Sequence, residues 1–242
     1  MKLRLPPLRT LIFFLVLLSL LASLIYLAVQ LLLAPDFEAL VQEGEKQKSD
    51  YVLMLVQCGL GVVVLFLPSM LEHRLRLDVP DAIEILYFLF LYAAIYLGEV
   101  RSFYYRIPNW DLILHAFSGL MLGALGFSVV NLLNRDREVR VALSPAFVAL
   151  FAFLFASTVG VLWEIYEYCV DGLLQTNMQK FALESGAALT GREALADTME
   201  DLILDCAGAA LMSAAGYLSL KRGRPWLGKM AISVKREDPP KP

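Results

Sequence analysis

The 242-residue sequence predicts an all-α polytopic membrane bundle of about six transmembrane helices with both termini cytoplasmic. Three observations carry this prediction. Hydrophobic residues make up 58% of the chain and charged residues 19%, against about 45–50% and about 25% in ordinary soluble domains. The mean hydropathy is +0.62, and the apolar residues are gathered into long uncharged runs, as membrane spans require and a soluble core does not. Lys and Arg are divided unequally between alternate connecting segments, which sets an orientation. The same composition excludes a soluble enzyme, a secreted disulfide scaffold and a disordered tail. A net charge of −3, with no long basic cluster outside the tails, points away from nucleic acid as a partner. Cys58, Cys169 and Cys206 lie inside apolar runs without C-x-x-C spacing, so they mark neither a disulfide framework nor a thiolate metal site.

The first span, about residues 11–33, is uncharged and follows Lys2, Arg4 and Arg9. A cleavable signal peptide is the alternative. The 23-residue run exceeds the roughly 7–15 residues of a signal core, and no A-x-A site follows, so an uncleaved span is expected. Five more spans are expected at about 52–67, 82–97, 112–133, 146–168 and 195–220, followed by a short basic tail, 221–242. Pro68 ends or kinks the second of them. No internal repeat and no Gly/Ser linker divides the chain, which reads as a single transmembrane domain over 1–242.

Fifteen basic residues fall in the N-terminal segment, the loop with Arg74 and Arg76, the loop with Arg135, Arg137 and Arg140, and the C-terminal tail. The other loops hold six: Lys46, Lys48, Arg101, Arg106, Lys180 and Arg192. That bias places both termini in the cytoplasm. The first external loop then carries Asp36, Glu38, Glu43, Glu45 and Asp50.

With this orientation the last three spans each bring ionisable residues into their outer halves. The run WDLILHAFSGLMLGALG sets Asp111, His115, Gly119 and Gly123 at steps of four, one stripe of a helix. GVLWEIYEYCVDG places Gly160, Glu164, Glu167 and Asp171 on one face. DTMEDLILDCAGAA repeats the device with Asp197, Asp201, Asp205 and Gly208. A carboxylate in hydrocarbon costs about 2.5–3.5 kcal/mol even on lenient insertion scales. Several such residues on separate helices are tolerated when their stripes face one another or a wet cavity, and the glycines let backbones approach there. The three stripes are therefore expected to converge at the outer leaflet.

Position along the spans separates structural from functional expectations. Asp111, Asp171 and Asp197 lie near span ends, where an acid is wet, and at helix starts Asp111 and Asp197 suit N-terminal caps. His115, Glu164, Asp201 and Asp205 lie deeper and are the expected catalytic set, with Glu167 between the two groups. Glu84, near the cytoplasmic entry of the third span, is expected to snorkel or cap. Glu99, Arg101 and Arg106 read as wet loop charges close to the cluster, and His73 as solvated. Trp110, Trp163, Tyr104, Tyr105, Tyr166 and Tyr168 read as an aromatic belt at the outer interface.

The ordered motifs WDLILHAFSG, GVLWEIYEY and DTMEDLILDCAGA resemble those of the YjdF-like family of bacterial inner-membrane proteins. That family shows a similar D-x3-H-x3-G helix, W-E-x2-E helix and final D-x3-D helix ending in Gly-Ala. The resemblance covers about residues 110–216 and implies a multi-pass protein of the bacterial inner membrane, without implying a reaction. VanZ-like membrane proteins are more remotely similar, through an early His helix and a late Asp helix with Gly, and this likeness carries no role in glycopeptide resistance.

Three functions are compatible with the stripes. The first is an outer-leaflet His/carboxylate site that acts on or binds a lipid-linked or head-group substrate. His115, Glu164, Glu167, Asp201 and Asp205 would supply one nitrogen and several oxygen ligands to a divalent metal ion. Without metal, the same groups could act as general acid and base. The second is a non-catalytic accessory or scaffold protein whose polar stripes only fix helix packing. The third is a proton- or cation-coupled transporter, for which a homo-oligomer would have to supply the symmetry that a chain without repeats lacks. Membrane lipids are the partners common to all three, and no P-loop, HExxH or GxSxG signature defines a reaction.

Overall fold

The computed structural model describes residues 6–34, 46–133, 143–183, 187–223 and 232–234. Lys2, Arg4, Asp36, Glu38, Glu43, Glu45, Arg135, Arg137, Arg140 and the tail basic residues Arg224, Lys229, Lys235, Arg236 and Lys241, used above for orientation, lie outside them. Among the described residues, six helices are long and apolar enough to cross a membrane. Helix α1 is Leu8–Leu33; it buries a single stripe, Val16, Leu20, Ser23 and Leu27, and exposes leucines and isoleucines elsewhere. In water that surface would be untenable, and in lipid it is the ordinary outer face of a span.

The second span, Lys48–Arg74, is made of α2, Lys48–Leu65, and α3, Leu67–Arg74. A capping box starts α2, with the Gln47 amide donating to Asp50 Oδ2 at 2.8 Å. The break at Phe66 has a backbone cause: Pro68 has no N–H for the Val64 carbonyl four residues back. The Tyr87 hydroxyl donates to that carbonyl instead, at 2.8 Å. Tyr87 belongs to α4, Asp81–Leu91, which follows a two-residue strand β1, Leu77–Asp78. Strand β1 pairs antiparallel with β2, Ser233–Val234.

From Tyr92 to Val100 the third span continues as π-helix, a wider winding that is rare and concentrates at functional sites. A short helix α5, Phe103–Arg106, then leads to α6, Trp110–Leu133. Helix α7 is Pro145–Leu174, with the Ser144 hydroxyl capping its start, and α8 is Ala196–Lys221. The fifth helix thus runs to Leu174 where the apolar run predicted an end near 168, so Glu167 and Asp171 are held on regular helix.

Two three-helix groups result. Helices α1, α2 and α4 share an apolar core of Val16, Leu20, Leu27, Met54, Cys58, Leu65, Phe88, Leu91 and Ile95. Helices α6, α7 and α8 pack on one another through small residues instead. At the end of the bundle opposite the π-helix, Glu84 is buried and paired with Arg9 at 2.8 Å, with Asp81 3.1 Å from the same guanidinium nitrogen. The expectation that Glu84 snorkels is corrected: a carboxylate at that depth is held by an ion pair.

Candidate functional site

Helix contact comes first, because it decides what can meet. A Cβ on Gly119 of α6 would run into the Asp205 carbonyl oxygen of α8, and one on Gly208 into the Ala116 carbonyl of α6. At these two points the helices touch backbone to backbone, as small residues permit. Gly160 of α7 leaves room for the Asp205 side chain: a Cβ there would lie 2.6 Å from Asp205 Oδ2. The three stripes therefore face one another.

His115 stands at the junction. Its Nδ1 lies 3.1 Å from Asp205 Oδ2, and because a carboxylate only accepts, Nδ1 carries the proton. The Ser118 hydroxyl donates to the other Asp205 oxygen at 2.5 Å. This leaves Nε2 as the free face of the ring, 3.6 Å from Asp111 Oδ1 and 3.7 Å from Asp201 Oδ2. Both separations exceed hydrogen-bond length, and one donor atom from each of Asp111, His115 and Asp201 lies within 4.8 Å of the others. A histidine oriented by a carboxylate on Nδ1, with Nε2 close to two further carboxylates, could hold a metal ion with Asp205 as its outer-shell partner. Metal binding by such groups requires neutral imidazole and ionised carboxylates.

Asp201 is 1% exposed and Glu164 5% exposed. Neither oxygen of Asp201 has a hydrogen-bond partner among the described residues, and Glu164 has the Thr198 hydroxyl beside it as a donor. One carboxylate oxygen of Asp197 is also without a partner among them. Asp197 does not cap α8, which begins after a 3-10 turn, Glu193–Leu195, with no side-chain cap. Glu167, also buried, points with Asp111, His115 and Asp205 into a cavity of about 270 Å³. The far part of that cavity is apolar, lined by Leu60, Val64, Phe90, Leu91, Ala94 and Leu122 from both helix groups.

The site end is covered by the loop after α7. Asp171 organises it: the Thr176 hydroxyl donates to Asp171 Oδ1 at 2.6 Å, the Met178 amide to the same oxygen at 2.8 Å, and the Gln179 amide to Oδ2 at 2.9 Å. The expected wet acid is thus a buried loop anchor, 7% exposed. The anchored loop carries Lys180 to the mouth of the cavity, its Nζ 4.9 Å from the Tyr104 ring centre and 5.4 Å from that of Tyr105. Withdrawal from water works to lower the Lys180 pKa, but Glu99, Tyr105, Asp111 and Asp197 outweigh it and hold it above the ordinary lysine range. Withdrawal from water and the nearby Asp111, Glu99, Glu167 and Asp201 push the Tyr104 phenol well up. Lys180 is thus a cation and Tyr104 a protonated donor at neutral pH. The raised Lys180 pKa contributes stability that is complete below about pH 10.4 and is lost only as pH climbs through its folded value.

Asp171→Ala is expected to loosen this loop, since three hydrogen bonds to one carboxylate are worth several kcal/mol together, at about 1.5–3 kcal/mol each. Faster amide exchange at Met178 and Gln179, with α6 to α8 unchanged, is the check; unchanged exchange would refute the anchoring role.

The geometry brings together His115, Asp201 and Asp205, sets Glu164 behind them between α7 and α8, and puts Glu167 on the cavity wall. It adds Asp111 to the centre, which the D-x3-H step had already placed on the His115 face. It also adds Glu99, which read as a wet loop charge close to the cluster but is held on the cavity wall by the last turn of the π-helix, and Lys180, whose loop position gave no local signal in the sequence.

Fold and site define a multi-pass helical membrane protein with a buried His/carboxylate centre. The family model for the predicted membrane protein DUF2238 matches residues 12–222, and the chain belongs to that family. An uncharacterised protein of Thermotoga maritima is 29% identical over 160 residues, which span 66% of this chain and 73% of that relative. No solved structure matches.

Proposed function

We propose that this chain is a bacterial inner-membrane protein whose Asp111–His115–Asp201 centre holds a divalent metal ion in the outer half of the bilayer. There it acts on, or binds, the polar head group of a lipid or lipid-linked substrate. One observation carries the reading: a single cavity joins His115, Asp205 and Lys180 at one end to a wall of Leu60, Phe90, Leu91, Ala94 and Leu122 at the other. An amphiphile matches such a site end for end, its head against the charged groups and its chain among the apolar ones. The ordered D-x3-H, W-E-x2-E and D-x3-D motifs, similar to those of YjdF-like proteins, support the inner-membrane assignment.

The test is the metal and lipid content of the detergent-purified protein. Wild type is expected to retain divalent metal and co-purified lipid. His115→Ala should lose at least tenfold in metal, and Ala94→Phe, which fills the apolar end, should lose lipid and keep metal. Wild-type protein that retains neither overturns the reading in favour of a packing role for the stripes.

The outer-leaflet placement rests on the fifteen-to-six division of basic residues. Reporter fusions within residues 36–50 and 172–194 are expected to read as external. A cytoplasmic signal from either would place the site on the opposite face.

A further inference from the structure

Lys180 is held in a backbone conformation that a lysine seldom adopts. Its φ is +46°, in the left-handed region. The loop imposes this from both sides. Before Lys180, the Met178 and Gln179 amides donate to Asp171. Across it, Asn177 accepts from the Ala182 amide at 3.0 Å and donates to the Ala182 carbonyl at 2.7 Å, which closes the chain over residues 177–182. Strain retained by so many contacts is a reason to ask what the side chain does.

The ammonium group is placed at the charged end of the cavity. Its Nζ lies over the Tyr104 and Tyr105 rings, which attract a cation through their faces and leave its N–H donors unused. Its one acceptor among the described residues, the Asn177 carbonyl, is 3.5 Å away, at the limit of a hydrogen bond. Glu99, Asp111 and Asp197 favour the charge from a distance, and none of them is in ion-pair contact with Nζ. An ammonium has three donors, so most of its hydrogen-bonding capacity is unmet by the protein. A lysine placed only to neutralise acids would pair with one of them, as Arg9 does with Glu84 at 2.8 Å at the other end of the bundle.

We propose that Lys180 binds a phosphate group on the head of the amphiphile, and so makes the site selective for phosphorylated lipids over neutral ones. This rests on the amphiphile reading given under Proposed function and names the substrate class for that site. Without Lys180 the ionisable lining of the cavity would be Glu99, Asp111, Glu167, Asp205 and His115, a set that repels an anion. Lys180 reverses the sign at the mouth, and Tyr104 offers a phenolic O–H beside it. Phosphate suits this position because it carries several anionic oxygens on one centre. One oxygen accepts from Lys180 while another remains for Asp111 and His115 and any ion they hold, all on the same cavity wall.

The probes are monooleoylglycerol, lysophosphatidic acid with the same oleoyl chain, and inorganic phosphate. Each is titrated into the purified full-length protein in detergent, at one fixed Mn²⁺ concentration so that any metal contribution is common to all variants. Wild type should bind the phosphorylated lipid at least about tenfold more tightly than the neutral one, the scale of one charge-assisted hydrogen bond. Lys180→Met should abolish that preference, and Lys180→Arg, which keeps the charge, should retain it. Inorganic phosphate should compete weakly, because it leaves the apolar end empty. Competition as strong as that of the lipid would assign the site to free phosphate and overturn the lipid source. Equal binding of the two lipids by wild type overturns the phosphate selectivity and leaves the amphiphile reading standing. A preference that persists in Lys180→Met removes Lys180 from the role. Binding of neither lipid overturns the amphiphile reading itself. The wild-type comparison decides the selectivity even if the Lys180→Met protein fails to fold.

Discussion

Asp201→Asn is expected to lower the affinity for divalent metal by about 100-fold or more, while the helical content and the detergent-solubilised state are retained. Loss of an outer-shell partner alone costs about 10–100-fold, and Asp201 is proposed above as a ligand. The substitution keeps the size of the side chain, so the contact of α8 with α6 and α7 is undisturbed. It removes one negative charge from a position 3.7 Å from His115 Nε2. Affinity should also rise with pH through the range in which the ligating groups lose their protons. Metal content after dialysis, compared with wild type, is the measurement. Equal metal in Asp201→Asn and wild type would remove Asp201 from the site.

Gly119→Leu carries the second large effect, on stability. A Cβ at Gly119 meets the Asp205 carbonyl oxygen and lies 3.1 Å from the Ala209 amide nitrogen, both of them backbone atoms that cannot rotate away. Overpacking a tight contact costs about 1–3 kcal/mol where side chains can adjust, so a loss at or above that range is expected here. It should appear as a lower unfolding temperature in detergent and, because His115 is one turn away, as weaker metal retention. Gly59→Ala is the matched control. Nothing lies within 4 Å of a Cβ there, and Ala is the better helix former by about 1 kcal/mol. A Gly119→Leu protein as stable as wild type would show that this face does not pack against α8.

The sequence by itself determined the membrane class, the six spans and the stripes. These depend on composition and on the fixed 100° step of a helix, which local residues already express. The Asp111–His115 pair was legible for the same reason, being one turn apart on one helix. Glycine at positions 119, 160 and 208, each on a polar stripe, marked which faces would touch.

What only the tertiary structure decided is register, depth and cover. Whether Glu164 stands level with Asp201 depends on how α7 slides along α8, and Gly160 against Asp205 sets that offset. Asp171 read as a wet span-end acid because its three donors, Thr176, Met178 and Gln179, come from a loop whose path the helix pattern does not encode. Lys180 reaches Tyr104 and the acid cluster only because that loop folds back over the bundle. Charge in a membrane protein is costly wherever it is buried, so the residues alone announce that partners exist. Which partners they are depends on contacts between segments far apart in the chain, and those form only when the helices pack.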